Sequence, residues 1–353
     1  MGRRQRGTSA YMQLYEQLRQ QILDGAIPLG ARLPSKRELA AARGISVVTA
    51  EHAYALLCDE GYAEARERSG YYAAFGGSAA PAAPRARLED MRAGSGPGED
   101  FPFSVWARTM RTVLADYDRR ILAKSPNAGT AELRCAIAAW LERSRGMRVG
   151  AEQIVVGSGA EYLYGQVVQL LGRERLYALE EPCYEKIRLV YASFGAQTVP
   201  LPMGDDGIRA EALAACAAGA LHVTPFHSYP SGVTASAAKR RAYAAWARER
   251  DAVLIEDDYE AEFAAPGRRI ETVFSLAPER VIYLSTFTKL LAPGVRTGFM
   301  VLPEELLTEY RRRLDFSSCT VPVFEQLVLA SFLDEGHLER YISRRRRQMK
   351  TGE

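Results

Sequence analysis

The chain has 353 residues, of which 47% are hydrophobic and 25% are charged, and this is enough material for about two globular domains. Its formal net charge of +3 is too small to indicate nucleic-acid binding without local evidence, because the basic residues can be spread over a solvated surface. The five cysteines are scattered without a C-x-x-C pair, which argues against a disulfide framework and a zinc site, so no metal is expected.

The N-terminal end carries charge but lacks the hydrophobic segment of a secretion signal. No apolar run in the sequence approaches the roughly 18 residues needed to cross a bilayer. The sequence therefore predicts a cytoplasmic protein without a membrane partner.

Three helices are predicted near the N-terminus. An apolar residue at every fourth position of residues 11–24 predicts an amphipathic helix. Ser35 and Glu38 have the spacing of a capping box that opens a short second helix, and Ser46 opens a third. Two short helices joined by a tight turn are typical of the helix-turn-helix unit.

Two short strands are predicted to follow at 62–65 and 71–75, joined by the hairpin tip R-E-R-S-G at 66–70. With this hairpin as a wing and with the segment L-P-S-K-R-E-L-A at 33–40, the region resembles the winged helix-turn-helix of GntR-type regulators. The resemblance implies a DNA-binding domain over residues 1–76, with operator DNA as its partner.

The resemblance also implies which side chains contact DNA. A recognition helix in the major groove presents its N-terminal residues to the bases, while other polar groups contact phosphates. The predicted residues are Ser46, Val48, Thr49 and His52 at the bases, and Ser35, Lys36, Arg37, Arg66, Arg68 and Gly70 at the backbone. The family commonly has an arginine where this chain has Val47, so the base contacts stay open. The alternative is an ordinary solvated face, since residues 1–76 contain ten basic and eight acidic side chains.

Residues 77–100 are rich in Ala, Pro, Gly and Ser and lack apolar periodicity, which is typical of a flexible linker. The second predicted domain, 101–353, alternates short strands with helices, which indicates an α/β fold with a mainly parallel central sheet. One unit of this domain has a G-S-G turn before a helix, so the amides of Gly159, Ala160 and Glu161 are placed to bind phosphate.

Two strands in the second domain carry the most informative residues. Each is a short apolar run that ends in polar residues, and ligands of parallel sheets bind at these strand ends. The residues concerned are Asp257 and Tyr259 after the first strand, and Thr286, Thr288, Lys289 and Arg296 after the second. Asp257 and Tyr259 are two residues apart, so an extended strand directs both side chains to one face. The set supplies an amine. It also supplies hydroxyls and a guanidinium that suit a phosphate, an acid that suits a ring nitrogen and a phenol that suits a ring oxygen.

The run S-T-F-T-K-L-L-A-P-G-V-R-T-G at 285–298, with E-D-D-Y-E at 256–260, resembles fold-type I aminotransferases and looks like their MocR-type regulatory branch. The resemblance implies pyridoxal 5'-phosphate as cofactor, with Lys289 as the catalytic amine that carries it as a Schiff base. It also implies that Asp257 holds the ring nitrogen protonated and that Tyr259 bonds the ring hydroxyl. The other implied contacts are Arg296, Thr286, Thr288, Gly159, Ala160 and Glu161 at the phosphate, Tyr184 stacked on the ring, and His227 or Ser228 at the ring hydroxyl.

The last helical pattern contains four consecutive arginines at 344–347, which we interpret as a solvated face rather than a nucleic-acid patch. Members of this family normally continue into a small subdomain whose arginine binds the substrate carboxylate, whereas this chain stops at Glu353. A missing C-terminal subdomain is therefore expected. In that case either the chain is truncated or an effector is bound by other groups, such as Lys186 or Arg188.

Three functions are compatible with the sequence. The first is a homodimeric transcription regulator whose cofactor senses an amino-acid or amine effector by forming an external aldimine, which shifts the DNA-binding heads between two states. The second is an active aminotransferase that carries a DNA-binding head, and the third is a truncated fragment that does not sense. The fused head and the missing C-terminal portion favour the regulator.

Overall fold

The chain forms two compact units, Met1–Met91 and Arg92–Glu353. The computed structural model describes residues 10–67, 69–75, 101–259, 261–264 and 271–351. The predicted linker, 77–100, lies outside the described residues, so the domain boundaries that depend on it stay predictions. Within the described residues, no helix is both long enough and apolar enough to span a membrane.

The N-terminal unit consists of three helices and a two-stranded hairpin. Its elements are α1 (Ala10–Leu23), α2 (Lys36–Arg43), α3 (Val47–Asp59), β1 (Ala63–Arg66) and β2 (Gly70–Ala73). The predicted capping box begins α2, because Ser35 Oγ accepts from the Glu38 amide at 3.2 Å and the Glu38 carboxylate accepts from the Ser35 amide at 2.8 Å. Ser46 caps α3 by accepting from the Thr49 amide at 3.0 Å. With β1 and β2 paired antiparallel, the predicted winged helix-turn-helix is confirmed.

A small apolar core holds this unit together. The apolar stripe predicted for the first helix is buried, and α3 contributes Tyr54 and Leu57 to the same core. The Tyr54 ring stacks on Tyr71 of the hairpin with a centroid separation of 4.3 Å, and its hydroxyl donates to the Pro34 carbonyl oxygen at 2.6 Å. These contacts fix the hairpin against α3.

The second unit alternates helices with strands. Its first half contains α4 (Phe103–Tyr117), α5 (Ala131–Arg145), β3 (Ile154–Gly157), α6 (Ala160–Leu171), β4 (Leu176–Glu181), α7 (Glu185–Ser193), β5 (Gln197–Gly204), β6 (Gly207–Ile208) and α8 (Ala210–Ala215). Its second half contains β7 (Ala220–Val223), α9 (Ala237–Glu249), β8 (Val253–Asp258), α10 (Ala261–Ala264), α11 (Val273–Leu276), β9 (Val281–Thr286), α12 (Phe287–Leu290), β10 (Gly298–Val301), α13 (Glu304–Leu314), α14 (Val323–Asp334) and α15 (His337–Thr351). The order confirms the predicted α/β class.

One sheet organises the second unit, with the strand order β3-β10-β9-β8-β7-β4-β5-β6. The strands from β9 to β5 in this order run parallel, whereas β10 is antiparallel to both neighbours and β6 is antiparallel to β5. The predicted mainly parallel sheet is therefore confirmed. Because β8 and β9 are adjacent and parallel, their carboxyl ends meet at one edge, where Asp257 lies opposite Leu284 and Asp258 opposite Ser285.

Both faces of the central strands are buried. Every residue of β7, β8 and β9 is buried, as expected for parallel strands that helices cover on both sides. Alternate residues of β9 enter two different apolar clusters, with Val281 and Tyr283 in one and Ile282 and Leu284 in the other. The strand ends are therefore held on a rigid support.

The arginine run at 344–347 lies in α15 and is only partly solvated, which corrects the prediction of a solvated face. The two outer arginines are exposed. In contrast, Arg346 Nε donates to the Glu262 carbonyl oxygen, and the Arg345 guanidinium lies 5.3 Å from the centroid of the Phe263 ring. These inner arginines pack α15 against the segment that follows β8.

Candidate functional site

A cavity of about 540 Å³ lies at the carboxyl ends of β8 and β9. Its lining residues are Ala160, Glu161, Tyr164, Tyr184, Ile187, Thr224, His227, Tyr229, Asp257, Tyr259, Thr286, Thr288, Lys289 and Arg296. Of the predicted cofactor residues, Gly159 and Ser228, the alternative to His227, are not part of this lining. Gly159 directly precedes the cavity residue Ala160. The structure therefore brings residues from distant parts of the chain around one space.

Three consecutive carboxylates end β8, and each is directed at a different partner. Glu256 accepts hydrogen bonds from two amides at the start of α11, at 2.9 and 2.7 Å, and burial raises its pKa to about 8. Asp258 lies 2.9 Å from the Arg145 guanidinium. Successive side chains of a strand point to opposite faces, so Asp257, between these two, is the one that faces the cavity.

Two side chains that were not predicted from the sequence, Tyr164 and His222, lie against Asp257. Tyr164 donates its hydroxyl to Asp257 Oδ2, and His222 Nε2 lies 3.7 Å from the same oxygen. Burial and the nearby Asp257 raise the pKa of Tyr164 well above its usual value, so this tyrosine stays a donor. Tyr191 in turn contacts His222, with 2.8 Å between its hydroxyl and Nδ1. The carboxylate orientation is thus set by a buried polar chain.

The second oxygen of Asp257 lacks a protein donor. Asp257 Oδ1 is buried and forms no hydrogen bond with any residue that the structure describes. Buried polar atoms are almost always hydrogen-bonded. A ligand with an N–H group directed at Asp257 would satisfy this oxygen.

A single helical turn places Lys289 in the same cavity. Thr286 Oγ1 accepts from the Thr288 amide at 3.2 Å and so caps α12. The Thr288 hydroxyl donates to the Val295 carbonyl oxygen at 3.1 Å. The two predicted threonine hydroxyls therefore hold the turn, while the Lys289 side chain is exposed at the cavity.

The end of the cavity predicted to bind phosphate is formed by the start of α6 and by Arg296. Gly159 has φ of +102°, which favours glycine, and a Cβ at this position would stand 3.2 Å from Arg296 Nη2. The Gly159 amide itself donates to the Gly157 carbonyl oxygen at 2.9 Å. Ala160 and Glu161 supply first-turn amides, which have no partner within the helix. Glycine here therefore makes room for the guanidinium, and the next two residues offer the amides.

Aromatic rings form another side of the cavity. Tyr184, the predicted stacking residue, lies with its ring centroid 6.0 Å from that of Tyr229 and nearly perpendicular to it. Tyr259 donates its hydroxyl to the His227 carbonyl oxygen at 2.7 Å, so these two predicted ring contacts are neighbours. The cavity thus offers flat apolar surface and a phenol close to the acid and the amine.

Ser228, the predicted alternative to His227, does not reach the cavity. It is buried, and its hydroxyl donates to Glu180 Oε2 at 2.6 Å. Lys186 and Arg188, considered as effector contacts, also lie outside the cavity lining, and they pair with Glu161 and Glu185 at 2.7 and 3.1 Å.

Glu180 predicts a pH dependence of stability. Burial raises its pKa from the usual 4.5 to about 8. Between these values the folded chain keeps a proton that the unfolded chain has released, so stability falls as the pH rises through this window. We expect Glu180→Gln to lose less stability than the wild type between about pH 5 and about pH 8, because glutamine has no proton to lose. The measurement is the free energy of unfolding in urea.

The exposed neighbour Glu181 provides the control for this prediction. Glu181→Gln is expected to keep the pH dependence of the wild type, because Glu181 is solvated. An identical pH dependence in Glu180→Gln and the wild type would show that Glu180 does not carry the effect.

The donor set of the cavity fits pyridoxal phosphate. The unpaired oxygen of Asp257 suits the protonated ring nitrogen, and Lys289 supplies an amine for the aldehyde. Arg296 and the first amides of α6 suit the phosphate, at a place where a side chain on Gly159 would crowd the guanidinium.

The predicted DNA contacts on the two head helices lie at the starts of α2 and α3. Ser35 and Ser46 are the capping residues, and Thr49 Oγ1 lies 2.8 Å from Ser46 Oγ. Lys36 Nζ lies 2.6 Å from Glu51 Oε1, so its charge is paired within the head. The further predicted residues, both exposed, are Arg37 and His52.

The predicted contacts on the hairpin lie at its turn. Arg66 Nε donates to Glu64 Oε1 at 2.7 Å, and its guanidinium lies 4.3 Å from the centroid of the Tyr72 ring. Gly70 has φ of +114°, and a Cβ there would stand 3.6 Å from Arg32 Nε. Arg68 lies outside the described residues.

Comparisons with known proteins assign a family to each unit. Residues 10–72 match the family described as bacterial regulatory proteins, gntR family, and residues 93–352 match aminotransferase class I and II. The chain is 31% identical over 365 residues to the probable rhizopine catabolism regulatory protein MocR of Rhizobium meliloti, covering 96% of this chain and 74% of that one. It is 30% identical over 346 residues to the HTH-type pyridoxine biosynthesis transcriptional regulator PdxR of Corynebacterium glutamicum, covering 96% and 76%.

A solved aminotransferase shares the fold of the second unit. The kynurenine aminotransferase of Pyrococcus horikoshii, solved in complex with PMP, matches with a TM-score of 0.64 and 26% identity, over 72% of this chain and 66% of that chain. This chain therefore spans slightly less than two thirds of that aminotransferase.

Proposed function

From its membership of the MocR-type branch of the GntR family, we propose that the chain regulates transcription by sensing an amine through pyridoxal phosphate. In this branch a helix-turn-helix head is joined to an aminotransferase class I/II domain. The family implies both DNA binding and this cofactor. The effector, the site residues and the homodimer are part of the proposal.

The observation that carries the proposal is the meeting of Lys289, Asp257 and Arg296 around one cavity. Each of these residue types is common on protein surfaces, and none would indicate a cofactor by itself. Their convergence with a buried carboxylate oxygen that has no donor in the described chain supports a ligand with an aldehyde, a basic ring nitrogen and a phosphate.

Each side chain has a distinct role in this proposal. When bound, pyridoxal phosphate supplies an aldehyde that bonds to an amine and a ring that withdraws electrons. Lys289 provides the amine that fixes the aldehyde end. Asp257 would accept the ring N–H through Oδ1, while Tyr164 donates to Oδ2 and His222 lies beside it.

The remaining residues orient the ring and the phosphate. Tyr184 packs against the ring, and Tyr259, with its hydroxyl at the His227 carbonyl, is placed to contact the ring hydroxyl. Arg296 and the amides of α6 neutralise the phosphate. These groups bind and position a ligand at the strand ends.

An amine effector would compete with Lys289 for the aldehyde of the bound cofactor. A signal requires that the effector stabilise one arrangement of the regulator over another, because a ligand shifts an equilibrium only by its differential affinity. We propose a homodimer, as in fold-type I proteins, so that two heads act on operator DNA in the cytoplasm.

Val47 and Val48, exposed at the start of α3, give the head an apolar pair that is suited to thymine methyl groups.

A spectral titration tests this function. Purified full-length protein is expected to gain a visible absorption band with pyridoxal phosphate, and one class among candidate amines should then change both the band and the affinity for a selected DNA duplex. DNA binding should be sequence-selective and should weaken with added salt. Protein that stays colourless would overturn the cofactor assignment, and equal binding to all duplexes would overturn the regulator. Sustained turnover with an amino donor and a keto acid would favour an aminotransferase instead.

A further inference from the structure

An acidic side chain stands where the phosphate of the cofactor is expected. Arg296 Nη2 lies 3.3 Å from Glu161 Oε2, and the other oxygen of Glu161 lies 2.7 Å from Lys186 Nζ. One carboxylate therefore bridges two cations that come from different elements, Lys186 from α7 and Arg296 from the loop before β10. From the sequence, only the backbone amide of Glu161 was predicted to contact the phosphate.

The charges of these three residues leave one net positive charge for a ligand. The hydrogen bond with Lys186, together with the charges of Lys186 and Arg296, lowers the pKa of Glu161, so the carboxylate is ionised at neutral pH. A phosphate group brings nearly two negative charges. It attracts Arg296 more strongly than one carboxylate does, but it is also repelled by Glu161.

Lys186 is the closer of the two counter-ions of this carboxylate. The 2.7 Å contact with Lys186 is shorter than the 3.3 Å contact with Arg296, and Lys186 lies outside the cavity lining. Glu161 can therefore keep one cation while Arg296 turns towards the ligand. Without Lys186, the carboxylate would have Arg296 as its counter-ion and would compete with the phosphate directly.

We propose that Glu161 is an internal counter-ion of the phosphate-binding arginine, and that Lys186 holds this carboxylate aside when a phosphate monoester binds. The inference rests on the proposed function, because it assigns the phosphate end of that same cavity. Glu161 lowers the affinity for phosphate and Lys186 restores part of it. Glu161 and Lys186 together therefore set the concentration of pyridoxal phosphate at which the cavity of the regulator is occupied.

Glu161→Gln tests this assignment, because it removes the charge and keeps the backbone amide of α6. The variant is expected to bind pyridoxal phosphate about three- to ten-fold more tightly, as expected when one like charge is removed at a partly exposed site. Inorganic phosphate should compete with pyridoxal phosphate at correspondingly lower concentrations. Pyridoxal, which lacks the phosphate, should bind equally to the variant and the wild type. The measurements are equilibrium titrations at low salt, and the difference should shrink as salt is added.

A double-mutant cycle separates this mechanism from simple long-range charge. Lys186→Gln is expected to weaken binding of pyridoxal phosphate in the wild type, but to have a smaller effect when Glu161→Gln is also present, because no carboxylate then needs to be held aside. The matched control is Glu185→Gln, which removes a charge that pairs with Arg188 on α7 at 3.1 Å. This control should change the affinity much less than Glu161→Gln.

The outcomes distinguish the inference from the function on which it rests. Failure of the wild type and all variants to bind pyridoxal phosphate would overturn both. Binding by the wild type, with unchanged or weaker binding by Glu161→Gln, would overturn only the inference. Additive effects of the two substitutions, or an equal gain with pyridoxal, would overturn it as well.

Discussion

Lys289→Ala is expected to abolish covalent attachment of pyridoxal phosphate to the chain. Lys289 is the lysine in the cavity lining, and it shares this lining with Asp257 and Arg296. Alanine cannot bond to an aldehyde, so the loss should be complete, whereas substitution of a group that only positions the ligand would weaken binding. The measurement is reduction with borohydride, proteolysis and detection of the modified peptide by mass spectrometry.

Lys124→Ala is the matched control, because Lys124 is an exposed lysine outside the cavity lining. This variant should be modified at Lys289 as fully as the wild type. If the adduct of the wild type is spread over several surface lysines, or if it persists at the same total level in Lys289→Ala, then Lys289 is not the attachment residue. A non-covalent fraction in Lys289→Ala would measure what Asp257 and Arg296 contribute to binding alone.

The strand-end residues could be predicted because their positions depend on local pattern and on one general property of parallel sheets. A buried apolar run that ends in polar residues identifies the carboxyl end of a strand, and adjacent parallel strands place such ends together. Asp257 and Lys289 could therefore be predicted to lie at one edge of the sheet without knowledge of the loops between them. The capping box of the head was predictable for the same reason, since Ser35 and Glu38 bond within one helical turn.

The residues that support Asp257 could not be predicted, because they depend on register and on side-chain direction. His222 pairs with Ile255 across β7 and β8, and so it lies on the face of Asp257, but a one-residue shift would turn it away. Tyr164 approaches from α6, a helix packed on the sheet. The direction of Ser228 could not be predicted either, since its contact with Glu180 depends on the turn that carries it.

No sequence pattern indicates that Asp258 and Glu262 form one buried ion cluster with Arg145. Arg145 Nη2 lies 2.9 Å from Asp258 Oδ2 and 2.7 Å from Glu262 Oε1, and Tyr283 donates its hydroxyl to Asp258 at 2.7 Å. Burial lowers the pKa of Arg145, but the two carboxylates outweigh this and raise it well above its usual value. The cluster ties the end of α5 to the segment after β8, where Tyr259 lines the cavity.

Removal of the cation from this cluster is expected to be strongly destabilising. Arg145→Met should lower the free energy of unfolding of the second unit by about 3 to 5 kcal/mol, because it leaves two buried carboxylates without a counter-ion. Tryptophan fluorescence in urea reports this unit alone, since all three tryptophans of the chain, Trp106, Trp140 and Trp246, lie in it.

The loss should also depend on pH. Burial raises the pKa of Glu262 to about 7 even with Arg145 present, and loss of the guanidinium would raise it further. At about pH 5 the Glu262 carboxyl can take up a proton, which removes the buried charge. At about pH 8 the uptake of this proton has a free-energy cost, which lowers the free energy of unfolding. The difference between Arg145→Met and the wild type should therefore grow as the pH rises.

Arg148→Met is the matched control, because it makes the same substitution in a solvated pair. Arg148 lies 3.2 Å from Glu142 with 88% of its side chain exposed, and exposed pairs contribute about 1 kcal/mol or less. Equal and small effects of the two substitutions would mean that Arg145 is solvated and that the cluster does not hold the strand end. A large effect that does not vary with pH would instead assign the loss to packing of the Arg145 side chain, because an uncompensated carboxylate must respond to protons.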